Sequence, residues 1–191
     1  MSAHRKGLQF LTLTLLVQTA HYLEHIAQVI QVYALGFYPK DAHGLLGQVF
    51  DDEWVHFTYN IGLGLALISV YVYYRRNKES WLSASRFGRF SLTTVVVLQA
   101  YHALEHITKL YQHYFVPFYS FLHQPTHGLL PLATGWPIIP FHFWLNSFVW
   151  SVIALALWGL YRPSRHPDQV DLSGRAPWPL PVPARIATLA L

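Results

Sequence analysis

The stretch Gln18-Thr19-Ala20-His21-Tyr22-Leu23-Glu24-His25-Ile26 returns in mid-chain as Gln99-Ala100-Tyr101-His102-Ala103-Leu104-Glu105-His106-Ile107, and this repetition decides the reading of the fold. The matched residues share one offset of 81 positions, which Gln31 with Gln112 and Tyr33 with Tyr114 continue. Further along, His43-Gly44-Leu45-Leu46 matches His127-Gly128-Leu129-Leu130. His56-Phe57-x-x-Asn60 matches His142-Phe143-x-x-Asn146. The offset has grown by then, so the second copy has the longer loop. Two copies of one helical hairpin are expected to share an orientation and to meet across a pseudo-twofold axis along the membrane normal.

The membrane enters through composition. Of 191 residues, 53% are hydrophobic and 12% charged, whereas soluble domains carry about 25% charged residues. Four apolar stretches, about Leu8–Tyr38, Trp54–Tyr74, Phe90–Tyr114 and Ile138–Tyr161, are long enough to cross a bilayer, which takes roughly 20 helical residues. The expected fold is therefore all-α: an integral membrane four-helix bundle made of two tandem hairpin repeats, 1–80 and 81–162. A Pro-rich segment, 163–191, follows and is expected to be a mobile cytoplasmic tail. Basic residues (His4, Arg5 and Lys6; Arg75, Arg76, Lys78, Arg86 and Arg89; Arg162 and Arg165) flank the spans on one side. By the positive-inside rule both termini are cytoplasmic, in a multi-pass protein of a bacterial-type plasma (inner) membrane. Arg5 and Lys6 ahead of an apolar run, with Thr19-Ala20 as a tolerable cleavage site, have the outline of a secretory signal. The recurrence of the following residues after another apolar run argues that the first run is a helix of the mature protein. The pI of 9.4 reflects those clusters beside apolar runs, and no nucleic-acid role is assigned.

The chemistry lies on helix faces. Positions i, i+3 and i+4 share a stripe, so His21, Glu24 and His25 point together, as do His102, Glu105 and His106. Gln18 and Gln28, and Gln99 and Lys109, continue these stripes, while His56 with Asn60 and His142 with Asn146 share faces of the second and fourth helices. Counting about 1.5 Å per residue puts all four polar faces in one layer near the extracytoplasmic surface. His43 and His127 begin loop motifs that can fold over that layer. A bare carboxylate in hydrocarbon costs several kcal/mol, so Glu24 and Glu105 must be protonated, paired or bound to a cation. With no cysteine and one methionine, any metal is held by nitrogen and oxygen. The expected ligands of a di-metal site are His21, Glu24, His25, His56, His102, Glu105, His106 and His142, with Glu24 and Glu105 also the catalytic carboxylates. His43, His127, Asn60, Asn146, Gln18 and Gln99 are expected as supporting or additional ligands. Gly62, Gly64 and Ala66 suggest a close helix contact.

The leading functional expectation is a membrane oxidoreductase using transition metal ions (Fe, Zn or Cu) on an apolar or lipid-like substrate. The number of nitrogen ligands resembles that of the histidine-rich membrane di-iron desaturases and hydroxylases, whose histidine-box spacings are absent here. The alternatives are a membrane zinc hydrolase, in which His-x-x-Glu-His supplies two ligands and a base, metal-ion transport, a haem b protein, and a polar network that glues the hairpins without catalysis. The partner implied is the lipid bilayer; no redox partner or oligomeric state is legible.

Overall fold

The computed structural model describes residues 3–50, 52–120 and 126–162, and no β-strand element occurs among them. The protein is all-helical. Four long helices carry the fold: α1 (Ala3–Tyr33), α2 (Asp52–Arg76), α3 (Arg86–Phe115) and α4 (Ile138–Tyr161). Short helical segments at Pro39–Asp41, Lys78–Ser83, Pro117–Ser120 and Leu130–Thr134 lie in the connections. The segment 163–191 and its expected mobility lie outside the described residues.

The first helix departs from the expected Leu8–Tyr38, beginning at Ala3 and ending at Tyr33. Its apolar run continues past a structural stop. Gly36 turns left-handed at φ 74°, and the N–H groups of Ala34, Leu35 and Phe37 close the last turn on the Ile30 and Gln31 carbonyls at 2.9–3.0 Å. Such glycine-terminated ends satisfy carbonyls that a helix otherwise leaves open.

Helix α1 packs against α2 and α4, and α3 packs against the same two, so the four close a ring. Neighbours run antiparallel. Tyr74 near the end of α2 meets His4 at the start of α1 with ring centroids 5.8 Å apart. Trp54 at the start of α2 donates to the Tyr114 hydroxyl at the end of α3, at 3.0 Å.

The interior divides into two zones. Toward the chain ends, Leu11, Leu67, Val70, Leu92, Val95 and Ile153 belong to one apolar cluster. Toward the long loops the core is polar. There α1 buries Gln18, His21, Glu24, His25 and Gln28, and α3 buries Gln99, His102, Glu105, His106 and Lys109. Their outer faces expose Leu13, Leu16, Leu23 and Ile30, and Phe90, Val97, Leu104 and Ile107. This reverses the arrangement of a helix in a water-soluble bundle. Two helices, Glu53–Arg76 and Ile138–Tyr161, are long and apolar enough to cross a membrane. The inward polar stripes of α1 and α3 lower the mean hydropathy of those two helices.

The closest helix contact is not the expected one. A Cβ on Gly62 would meet nothing within 4 Å, and one on Gly64 would meet only Gln99 Cγ at 3.8 Å. Backbones instead touch where α3 begins and α4 ends: a Cβ on Gly88 would lie 2.5 Å from the Gly159 carbonyl carbon, and one on Gly159 2.6 Å from Gly88 Cα. Ser85 fixes the junction, its Oγ accepting from Gly88 N at 3.0 Å and donating to Gly159 O at 2.7 Å. Replacing Gly159 with Ala is therefore expected to lower stability by about 1–3 kcal/mol through overpacking against backbone. Thermal unfolding of purified full-length protein in detergent measures it, and Gly62→Ala, whose Cβ meets nothing, serves as the control that does not lower the midpoint.

Candidate metal centre

Two sets of three histidines lie buried in the polar zone. His21 and His25 of α1 converge with His56 of α2, and His102 and His106 of α3 with His142 of α4; within each set the ligand atoms lie within 4.8 Å of one another. All six are between 0 and 2% exposed. Each set is held within a single hairpin. The sets also touch: His21 faces His102 at 6.1 Å between ring centroids, His25 faces His142 at 6.0 Å, and His56 faces His106 at 5.6 Å. Exchanging the two hairpins maps the last two pairs onto each other and the first onto itself, as a pseudo-twofold axis requires.

Hydrogen-bond partners fix which nitrogens face inward. Carbonyl and amide oxygens only accept, so a ring nitrogen bonded to one carries the proton. His25 Nδ1 donates to Gln28 Oε1 at 2.9 Å, His21 Nδ1 to Gln18 Oε1 at 3.4 Å, and His142 Nδ1 to Ile138 O at 3.0 Å. Their Nε2 atoms are thereby left as lone-pair donors. His25 Nε2 and His21 Nε2 face each other at 3.2 Å, as do His106 Nε2 and His102 Nε2. His142 Nε2 is buried without a hydrogen-bond partner. In the first pair both Nδ1 atoms carry the proton, so the facing Nε2 lone pairs repel and a cation between them removes the repulsion, while His102 Nε2 in the second pair also accepts from Asn146 Nδ2 at 3.4 Å. Nitrogens about 2.0–2.1 Å from a tetrahedral ion lie about 3.3–3.4 Å apart, close to the separation in both pairs.

A polar frame ties the hairpins together around the imidazoles. Gln18 Nε2 of the first hairpin donates to Asn146 Oδ1 of the second at 3.0 Å, and Gln99 Nε2 of the second to Asn60 Oδ1 of the first at 3.0 Å. Each asparagine also donates back to the carbonyl of its own histidine, Asn60 to His56 O at 2.8 Å and Asn146 to His142 O at 2.9 Å. The four amides expected as supporting groups thus bridge the two halves. One ring face of His21 is covered by Tyr59, stacked at 5.0 Å, a residue the spacing argument passed over.

Glu24 and Glu105, expected as ligands and catalytic carboxylates, belong to neither set. At about 100° per residue, i+3 falls about 60° to one side of His21 and His102, whereas i+4 falls about 40° to the other. The carboxylates consequently point past the cluster to the loops. Glu24 accepts from Leu45 N at 2.6 Å and Leu46 N at 3.1 Å, and Glu105 from Leu129 N at 2.6 Å and Leu130 N at 2.9 Å. Tyr101 adds its hydroxyl to Glu105. Seven residues after each glutamate, back on the same face, Gln31 grips Gly44 N and O at 2.9 and 2.8 Å, and Gln112 accepts from His127 N at 2.9 Å. Gly44 and Gly128 stand at φ 74° and 77°, and a Cβ on either would collide with the glutamate. The His-Gly-Leu-Leu motif is therefore a carboxylate clasp. His43 and His127 introduce it at partly buried positions, outside both triads. The repeated seven-residue interval from Glu to Gln was the legible trace of this device.

The symmetry also fails in charge. Lys109 occupies the position of Gln28 and pairs with Glu53 of α2 at 3.3 Å, and Thr126 donates to Glu53. The position matching Glu53 in the second hairpin is Ile139.

No family model matches the chain, and no curated protein or solved structure is significantly similar to it.

If the glutamates clasp loops and do not bind metal, a Glu24→Ala, Glu105→Ala double variant keeps its metal content. It should instead speed amide hydrogen exchange at Leu45, Leu46, Leu129 and Leu130, each of which loses its acceptor. Mass-spectrometric exchange paired with elemental analysis reads both effects, and loss of metal with loops still protected would restore carboxylate ligation.

Proposed function

We propose that the protein is an integral membrane metalloprotein: a four-helix bundle of two hairpin repeats, termini in the cytoplasm, holding two transition metal ions in a six-imidazole cluster near the opposite surface. The observation that carries this reading is the inward convergence of imidazole nitrogens in two buried triads. Placement in a bilayer draws on the inverted surface, with apolar residues outside and glutamine, histidine and glutamate within. Arg75, Arg76, Lys78, Arg86 and Arg89 collect at the end away from the cluster, which suits a cytoplasmic face.

Donor chemistry narrows the metal. Nitrogen ligands alone suit copper, zinc or iron, and fit magnesium, calcium and manganese poorly. Two adjacent redox-active ions supply a two-electron couple, and oxidoreduction of an apolar, membrane-dissolved substrate is the activity favoured. The chain's own part is to orient the imidazoles through Gln18, Gln28 and the Ile138 carbonyl, and to exclude water by burial. Leu45, Leu46, Leu129 and Leu130 ring the loop end with exposed apolar side chains, a surface past which such a substrate can approach from the lipid.

The other readings fare differently. A three-histidine set is also what catalytic zinc uses, so a zinc hydrolase is the second reading, although the glutamates it would need as bases are occupied by loop amides. Transport is disfavoured by the apolar cluster filling the other half of the bundle. Haem is disfavoured because rings with centroids 4.8–6.1 Å apart leave no slot for a macrocycle.

Elemental analysis of the purified full chain is expected to find two first-row metal ions per molecule. His25→Ala and His106→Ala should each lower that to about one, and the double variant to near none. The optical spectrum should lack a Soret band. Copper or iron supports the oxidoreductase and zinc alone the hydrolase; metal-free protein, or unchanged content in the double variant, refutes the centre.

A further inference from the structure

The two triads are copies in sequence but not in surroundings. On the first, Gln28 holds His25 by its Nδ1 proton at 2.9 Å, which points the Nε2 lone pair inward and raises its basicity. On the second, the matching residue is Lys109, and His106 Nδ1 is buried with no hydrogen-bond partner. The ammonium sits three residues beyond His106, one turn along the same face, and is tethered there by Glu53 at 3.3 Å. Glu53 belongs to α2, three residues before His56 of the first triad. The ion pair thus places its positive end beside the second triad and its negative end beside the first. Both charges are about nine-tenths buried, with side-chain exposures of 10% and 12%, where bulk water screens them little.

We propose that the two metal sites are inequivalent, the first-hairpin triad (His21, His25, His56) taking up a divalent cation before the second (His102, His106, His142), with Lys109, Glu53 and Gln28 setting that order. The inference rests on the metal reading above. Two features act in the same direction: an acceptor that orients His25, and an ion pair whose cation lies one turn from His106 and whose carboxylate lies one turn from His56. Outer partners of this kind change metal affinity by about 10–100-fold. Lys109 and Glu53 are positioning residues, which shape the sites without ligating either ion.

The test is calorimetric titration of the chelator-stripped full chain in detergent with Zn²⁺, a redox-silent probe. Wild type should fill in two steps separated by about tenfold or more. The tighter step should persist in His106→Ala and vanish in His25→Ala. In a Lys109→Gln, Glu53→Gln double variant, which removes both charges together and leaves neither ion unpaired, the separation should shrink by several-fold while both steps remain. Lys109→Met with Glu53→Leu gives the same readout should the amides disturb folding. Two equal steps in wild type, a tighter step that survives in His25→Ala, or an unchanged separation in both charge-free variants overturns the inference and leaves the metal centre standing. Absence of Zn²⁺ binding altogether overturns the centre and the inference with it.

Discussion

Polar side chains sealed inside a bundle whose outer surface is apolar must satisfy one another, because no water reaches them to do so. Around the histidine layer this requirement organises nearly every contact. Gln18 with Asn146 and Gln99 with Asn60 cross between hairpins, while Glu24 and Glu105 spend both oxygens on loop amides. Imidazole nitrogens and Gln99 Oε1 are among the atoms left over. Several of the imidazole Nε2 lone pairs face each other or nothing, and in the proposed reading metal ions complete the set. In lipid, helices gain little from burying apolar surface and associate through packing and polar contacts. In the proposed bilayer setting, the Gly88–Gly159 junction and the amide bridges are among the features that hold the two hairpins together.

In the proposed reading, duplication explains how one short motif yields two sets of three imidazoles. Each hairpin brings its own triad, its own amide pair and its own loop clasp, so neither half needs the other to assemble three ligands. Facing the copies then sets the triads side by side. Departures from symmetry fall at a few positions. Lys109 stands for Gln28, Ile139 for Glu53, and Tyr101, which bonds Glu105, for Ala20. All of these lie at the rim of the histidine layer and none among the ligands.

Much of this was legible in the residue order. The offset of 81 and the four apolar runs give the long helices, and the i, i+4 spacing of histidines gives their inward face. His56 and His142 follow from the second repeated motif. The carboxylates, expected as ligands, lie outside both triads for a reason of geometry: i+3 and i+4 fall on opposite sides of i, so a stripe of three residues need not aim at one point. Their hydrogen-bond partners are backbone amides about twenty residues away, and backbone donors carry no letter in a sequence. The glycine after His43 and after His127 hinted at a special turn, but its cause, a carboxylate pressed where a Cβ would sit, needs three dimensions. The Gly88–Gly159 contact pairs single glycines on two helices and leaves no spaced pattern on either. The stop of α1 at Tyr33 was readable from Gly36 and Pro39, which the apolar run obscured.

The account stands or falls on what surrounds the metal. X-ray absorption at the metal edge, recorded on the purified full chain, reports the first shell directly. The expected result is nitrogen from about three imidazoles per ion at about 2.0–2.1 Å, with the multiple-scattering pattern of histidine rings. A shell dominated by carboxylate oxygen, or one that persists unaltered when the six histidines are replaced, would contradict it.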